Sequence, residues 1–276
     1  MNTFPDPPFT TKDNPMFPTV SGFTIRRVAP LLLAAVLLPG VSTARHARGG
    51  GSAGAIAAPT LSIGASQIAE SQFANTLTTP AMTTQASGST CVVAVLGPLV
   101  ADIQRVTDSK GNTYPSTPNL TVLYNSGGFE ATIWIAPNCV GGSGHTFTVT
   151  MTASTFVSLT LIPVEVKASS GFAVVDESGT SPNLLNTTSA ATPSVTPTVN
   201  GEVVLSFLGG GNATATTITD ATGFNNILQS FATGTSNTAI GAVGGKVQAT
   251  AAAISDTFTI GSSTNAGTAI ISFKPN

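Results

Sequence analysis

The chain carries one frame twice. Cys91-Val92-Val93-Ala94-Val95-Leu96-Gly97 is followed by Val106-Thr107-Asp108 and Gly111. On a shift of 112 residues, Val203-Val204-Leu205-Ser206-Phe207-Leu208-Gly209 is followed by Ile218-Thr219-Asp220 and Gly223. A third block returns at an offset of 111, Thr146-Phe147-Thr148-Val149 against Thr257-Phe258-Thr259-Ile260. A repeat at fixed period marks a structural unit used more than once. Short alternating apolar runs broken by Gly, Pro, Asn and Asp make that unit all-β. Each copy, 90–167 and 202–274, holds only about 70–80 residues, small for an independent core. The expectation is one antiparallel β-sandwich over 59–276 with an internal pseudo-twofold repeat, its halves closing on each other.

Separate strands are expected at 172–176 and 184–188, at 237–243 and 246–252, and at 256–260 and 267–274. The proline-bearing stretch 189–201 is expected to be a linker or a crossover between the copies. The strands starting at 90, 103, 119 and 129 are taken as up-and-down neighbours.

Charged residues make up only 8% of the 276, against roughly 25% in ordinary globular proteins. Solubility therefore rests on Thr, Ser, Asn and Gly, a composition suited to the exposed pleated faces of secreted or virion proteins. At 41% hydrophobic and a net charge of −2, the chain is not disordered. Arg105, Lys110, Lys167, Lys246 and Lys274 are scattered singly, whereas nucleic acid needs neighbouring cations. No nucleic-acid partner is expected.

Arg26-Arg27 precede an apolar run from Val28 to Leu38, then Pro39-Gly40 and the small residues Val41-Ser42-Thr43-Ala44. This is the layout of a secretory signal, assigned to 1–44. The run is short for a bilayer, so no membrane span is expected in the mature protein. Its long n-region makes Met16 a second candidate start. The paired arginines raise a twin-arginine route, against which stand Ile25 before them and Ala29-Pro30 after. Residues 45–58 are Gly/Ala-rich and form a flexible linker. The alternative is a virion protein in which the apolar segment is an arm.

No catalytic, metal or cofactor site stands out. Apart from His46, the only histidine is His145, which follows a Gly-rich turn and is expected at an exposed strand end. Zinc needs three or four ligands, which one His and two separated Cys do not supply. Glu130 and Glu165 could be named as a glycosidase pair, but nothing singles them out. Asp108 and Asp220 recur in equivalent turns and are expected to cap them. Asp108 with Asn112 is only the beginning of a calcium site. Trp134, in the alternation Ala131–Ile135, belongs to the core; Tyr114 and Tyr124 are candidate ligand-surface aromatics for stacking on a sugar. Cys91 and Cys139 fall at the same end of the up-and-down strands and form a candidate disulfide of an exported protein.

Val106-Thr107-Asp108-Ser109-Lys110-Gly111-Asn112-Thr113-Tyr114, Ile133-Trp134-Ile135-Ala136-Pro137-Asn138-Cys139-Val140-Gly141-Gly142 and Phe147-Thr148-Val149-Thr150 together resemble a loosely defined group of secreted bacterial and phage-associated β-sandwich proteins, jelly-roll or Ig-like. Those proteins carry TDxxGNxY and YxAxNxxGG turns and often end as Ile270-Ile271-Ser272-Phe273-Lys274-Pro275 does. The likeness covers about 85–276. Val164-Glu165-Val166-Lys167-Ala168 departs from the group's VEYSG segment. Members generally have no assigned activity. The resemblance implies a non-catalytic secreted or cell-surface module for adhesion, glycan binding or self-assembly. A virion decoration or fibre protein is the alternative, and a glycoside-active enzyme comes third.

Overall fold

The runs Cys91–Leu96 and Val203–Leu208 are apolar on both faces, as strands covered on both sides must be. The computed structural model describes residues 58–72, 74–97, 102–124, 128–152, 158–211, 217–220, 223–231 and 239–276. The signal segment 1–44, the linker apart from Ala58, and the Asn125-Ser126-Gly127 turn lie outside the described residues.

The first half contains β1 (Leu61–Ser66), β2 (Ala69–Gln72), β3 (Thr76–Thr78), β4 (Ser89–Leu96), β5 (Ile103–Asp108), β6 (Leu120–Tyr124), β7 (Phe129–Cys139), β8 (Phe147–Met151) and β9 (Ser158–Ala168). The second contains β10 (Ala173–Ala191), β11 (Glu202–Gly211), β12 (Ile218–Thr219), β13 (Asn225–Phe231), β14 (Ala239–Gln248) and β15 (Thr257–Pro275). Two six-stranded antiparallel sheets result. The first runs β1-β9-β4-β7-β6, with β2 also on β9; the second runs β13-β14-β11-β15-β10, with β12 also on β15. A small sheet, β3-β8-β5, covers the outer face of the first. In the second half no separate cover sheet forms among the described residues. The far ends of β10 and β15 bend back with β12, placing Ala190, Ile218, Phe258 and Ile260 over Leu208, Ile240 and Ala242. This is the expected β-sandwich with its pseudo-twofold repeat.

The sheets share one core. Val92, Ala94 and Leu96 of β4 with Val122 and Tyr124 of β6 pack among Val203, Leu205 and Phe207 of β11 and Ala269, Ile271 and Phe273 of β15. The second sheet makes room for the first with glycines. A Cβ at Gly209 would stand 2.6 Å from the Tyr124 ring, one at Gly267 would stand 2.5 Å from Val122, and one at Gly241 would collide with Leu96. Large side chains on one sheet thus sit in gaps floored by bare backbone on the other, the interlocking that close-packed interiors require.

Three readings need correction. First, the paired short strands expected at 172–176 and 184–188, and at 256–260 and 267–274, are single 19-residue strands, β10 and β15, while 237–243 and 246–252 give way to β14. Gly179, Asn183, Asn186 and Asn265, which resemble turn punctuation, sit inside strands. The β10–β15 register shifts at Ser178, Leu184 and Thr187, and Asn183 and Asn186 take φ of 53° and 47°. Bulges of this kind bend a strand without ending it. Consequently 189–201 does not separate the halves; the chain passes from first sheet to second between Ala168 and Ala173.

Second, the 112-residue frame holds for β5 and β12, and that of 111 for β8 and β15: Thr107 pairs with Thr148 as Thr219 pairs with Thr259. Across β4 and β11 it is out of phase. Cys91, Val93 and Val95 face the cover sheet, whereas Val203, Leu205 and Phe207 face the inner core. An even offset error is harmless to facing but an odd one inverts it, and an all-apolar run carries no alternation to set its phase. Third, β5 leaves the main sheet for the cover, so β4 and β7 are direct neighbours.

Among the described residues no helix is long and apolar enough to cross a membrane. Gly209→Ala is expected to lower stability by about 1–3 kcal/mol through overpacking against Tyr124, measured as a fall in denaturant midpoint. A chain ending at Ser189 would lack β11 and β14 and expose the inner face of the first sheet. It is expected to show no cooperative thermal transition, and a cooperative melt would refute the shared core.

Candidate functional site

The first repeat's turn motifs converge on one buried polar centre. Asp108 ends β5, and the chain reverses through Gly111, whose amide donates to the Asp108 carbonyl at 3.3 Å and whose φ of 76° suits glycine. The carboxylate is the hub. Oδ1 accepts the Lys110 amide at 2.8 Å and the Asn112 amide at 3.2 Å; Oδ2 accepts Asn112 Nδ2 at 2.9 Å and the Tyr114 hydroxyl at 3.1 Å. Asn112 in turn pairs with the backbone after β7, donating to Val140 O at 2.9 Å and accepting its amide at 2.8 Å. Ser109 accepts the Thr146 amide at 3.0 Å, and Lys110 donates to Ser143 O at 2.9 Å. The two turn motifs are therefore two sides of one seam.

His145 stands at that seam. Its Nε2 is 3.5 Å from Asp108 Oδ2, an electrostatic contact longer than a good hydrogen bond. Its Nδ1 is 2.9 Å from Thr84 Oγ1, which accepts the Gly142 amide at 3.2 Å. Because the acceptor-only Asp108 carboxylate faces Nε2, the ring proton is assigned there, and Nδ1 accepts the Thr84 hydroxyl. Burial pulls the imidazole pKa below its ordinary value despite the Asp108 charge. Burial also raises the Asp108 carboxyl, but the Asn112 and Lys110 donors outweigh it and hold the pKa below 3.8.

Asp108, His145 and Thr84 thus form a carboxylate–imidazole–hydroxyl chain, the order of groups that activates a nucleophile elsewhere. Here the His145 side chain is 0% exposed under Phe147, which stacks on it at 4.3 Å. The expectation of an exposed strand end for His145 is overturned: residues before β8 turn inward to pair with Met82, and a Gly-rich approach does not require solvent.

Cys91 and Cys139 meet next to this centre, both fully buried. β4 pairs with β7 across a bulge that sets Ser89 opposite Cys139 and Cys91 opposite Ala136. Cys139 Sγ donates to Ala136 O at 3.1 Å. A hydrogen bond to Cys139, and then burial, push the Cys91 thiol far above its ordinary pKa, so it is no thiolate nucleophile. The expected disulfide is not formed in this structure: both thiols are free, and they come near each other for a simpler reason than the up-and-down order, since the start of β4 lies against the end of β7.

Glu165, opposite Cys91 on β9, is structural. It accepts the Gln85 amide at 2.6 Å and the Ala65 amide at 3.1 Å, filling the bulge of β1. Glu130 lies near the other end of β4, where Leu96 faces Ala131. Five residues of strand put them roughly 17 Å apart, too far for the paired carboxylates of glycoside hydrolysis. Among the described residues no group of three or more His, Cys, Asp or Glu is placed to hold a metal.

The candidate ligand aromatics are corrected. Tyr124 is fully buried in the inner core, stacked 5.9 Å from Phe129, and Tyr114 is mostly covered with its hydroxyl turned inward to Asp108. Trp134 is in the core as expected, its Nε1 donating to Thr132 Oγ1 at 3.1 Å. The repeated aspartates also part company: Asp108 caps its turn, whereas neither oxygen of Asp220 has a hydrogen-bond partner. Thr84, Ser206 and Asp256 were missed. Asp256 had a signal, since the offset of 111 places it where His145 stands.

No family model matches the chain, no curated protein matches it, and no solved structure matches it.

Asp108→Ala is expected to cost about 2–3 kcal/mol, since several donors to a charged, buried acceptor are stranded at once. Asp108→Asn is expected to cost less, but not nothing, because an amide group would then face Asn112 or Tyr114. The folded pKa is depressed, so this contribution is present above the unfolded value of 3.8 and is lost as pH falls below it toward the folded value. Denaturant midpoints of the native chain and both variants, taken at neutral pH and in acid, measure this.

Proposed function

We propose that the protein is a non-catalytic extracellular or cell-surface β-sandwich module that works by self-assembly. The observation that carries the reading is the sealing of the Asp108–His145–Thr84 chain beneath the cover sheet. The groups best ordered for chemistry are spent on joining two turns, and a substrate has no reacting atom to meet. The TDxxGNxY-like and NxxGG-like motifs are accounted for as the two sides of that join, which favours a scaffold over a site.

Export is supported by the contact between Cys91 and Cys139. Two free thiols within hydrogen-bonding reach of each other, in a chain with the layout of a secretory signal, fit a disulfide made in an oxidising compartment. Closing that loop of 48 residues adds about 3–4 kcal/mol on chain-entropy grounds. Self-assembly is favoured over glycan stacking because the exposed large apolar side chains among the described residues are aliphatic, such as Val140, Leu185 and Val247, and none is aromatic. Sugar-binding platforms rely on aromatic faces, and the tyrosines available for one point inward.

The test uses the protein recovered from its producing cell. Mass spectrometry is expected to find an N-terminus near Ala44–Arg48, and denaturing thiol titration without reductant is expected to find no free thiol. Retention of Arg26-Arg27, or two free thiols per chain, would sink the export reading. Sedimentation velocity is expected to show concentration-dependent association. A chain that stays monomeric and binds a glycan array would replace self-assembly with glycan recognition.

A further inference from the structure

The second half repeats the polar centre with different chemistry. Asp220 stands where Asp108 does, and Asp256 stands where His145 does, so an acid and a base in the first half are replaced by two acids in the second. Asp220 leaves β12 and Asp256 leads into β15. They converge over Gly244 of β14, where a Cβ would stand 3.0 Å from Asp256 Oδ2 and 3.1 Å from Asp220 Cγ. Asp256 is fully buried, accepting the Ser206 hydroxyl at 2.6 Å on Oδ2 and the Thr257 amide at 2.7 Å on Oδ1. Both oxygens of Asp220 are buried, and neither has a donor.

We propose that Asp220 and Asp256 are a proton-sharing pair that locks the cover of the second half onto its sheet in acid and loosens it above neutral pH. Two buried carboxylates side by side do not both ionise without a compensating charge. Asp256 has two donors, as an ionised carboxylate needs, whereas Asp220 has none. The proton taken up from solvent therefore resides on Asp220, whose oxygens have no donor to stabilise a negative charge. Neighbouring strands bring neutral groups and a cation. β11 contributes the Ser206 hydroxyl, and β13 contributes the amides of Asn226 and Gln229, which donate to Ile218 O. β14 carries Lys246, whose ammonium lies over the Phe224 ring, 5.9 Å from its centroid.

Burial, and then the Asp256 charge, push the Asp220 carboxyl from 3.8 up to about 7. A folded pKa raised above the unfolded one contributes stability that is complete below the unfolded value and lost as pH rises through the folded value. The window therefore runs from 3.8 to about 7. The first half's centre slopes the other way, since Asp108 and His145 are both depressed and lose stability as pH falls. What the ionised pair would loosen is a short attachment: among the described residues β12 pairs with β15 at Ile218–Ile260 and Thr219–Thr259, beside the bond from the Gly261 amide to Thr217 O.

The experiment compares the melting temperature of the full chain with that of Asp220→Asn from about pH 4 to about pH 9. Asn imitates the protonated acid at every pH. The two curves are expected to meet near pH about 4, to separate progressively up to about pH 7, and to keep a constant gap beyond it, with the variant melting higher. Curves that stay parallel across the range overturn the proposal. Carbon-13 NMR of the native chain needs no variant: a carboxyl of Asp220 titrating near 7 agrees, and one titrating near 3.8 contradicts. The Gly261 amide, which donates to Thr217 O at 3.0 Å beside β12, is expected to lose hydrogen-exchange protection between pH about 4 and about 7 in the native chain and not in the variant. Equal protection in both contradicts the loosening. If calcium raises the native melting temperature in alkali and leaves the variant unchanged, the pair is a cation site and the proposal falls.

Discussion

Tyr124, Leu96 and Val122 of the first sheet rest against Gly209, Gly241 and Gly267 of the second, and this contact sets the terms for everything else in the structure. It makes the halves complementary and not merely similar: bulk on one side meets bare backbone on the other. Face-to-face sheets pack about 10 Å apart when ordinary side chains interdigitate, and glycines let rings and branched chains reach down to the opposite strand. The halves therefore bury their inner faces only in each other. Their small size, too little for a separate core, and their complementarity point the same way.

Once the inner faces are shared, each sheet still has an apolar outer face to cover. The first half uses a detached three-stranded sheet, and the second bends the ends of β10 and β15 back on themselves. Each solution needs a polar fastening where the cover meets the main sheet, and the repeat supplies it at the same positions. In the first half Asp108 gathers donors from its own turn and from Asn112, which reaches across to Val140. In the second, Asp256 takes the donors and leaves Asp220 without any. One fastening is strongest when its carboxylate is charged, the other when it is neutral. The same architecture is thus held by opposite pH dependences in its two halves.

How much of this was legible follows from what each stretch of sequence must encode. The all-β class and the repeat were open to view because turns such as Asp108–Gly111 have a local chemical cause. The capping role of Asp108 was legible for the same reason, and the core position of Trp134 followed from strand alternation. The phase of β4 against β11 was not, because Cys91–Leu96 and Val203–Leu208 are buried on both faces and alternate in nothing. The length of β10 and β15 was hidden by Asn183, Asn186 and Gly179, whose bulge and turn roles look alike in one dimension. His145, Tyr114 and Tyr124 were misplaced because burial is decided by which strand crosses above. For His145 and Tyr114 that is the cover sheet, assembled from β3, β8 and β5 far apart in the chain, and for Tyr124 it is the second sheet at Gly209. The nearness of Cys91 and Cys139 was anticipated, though through the wrong neighbours and as a disulfide, whereas both thiols are free.

Native-state hydrogen exchange most directly tests whether the two halves are one cooperative structure. Amides of Val93 and Ala94 in β4 and of Leu205 and Ser206 in β11 lie at the centres of the two sheets, paired on both sides. If the shared core governs stability, these amides open with the same free energy, equal to that of global unfolding, and respond equally to denaturant. Two separated values, with one half exchanging through an opening that leaves the other protected, would contradict it.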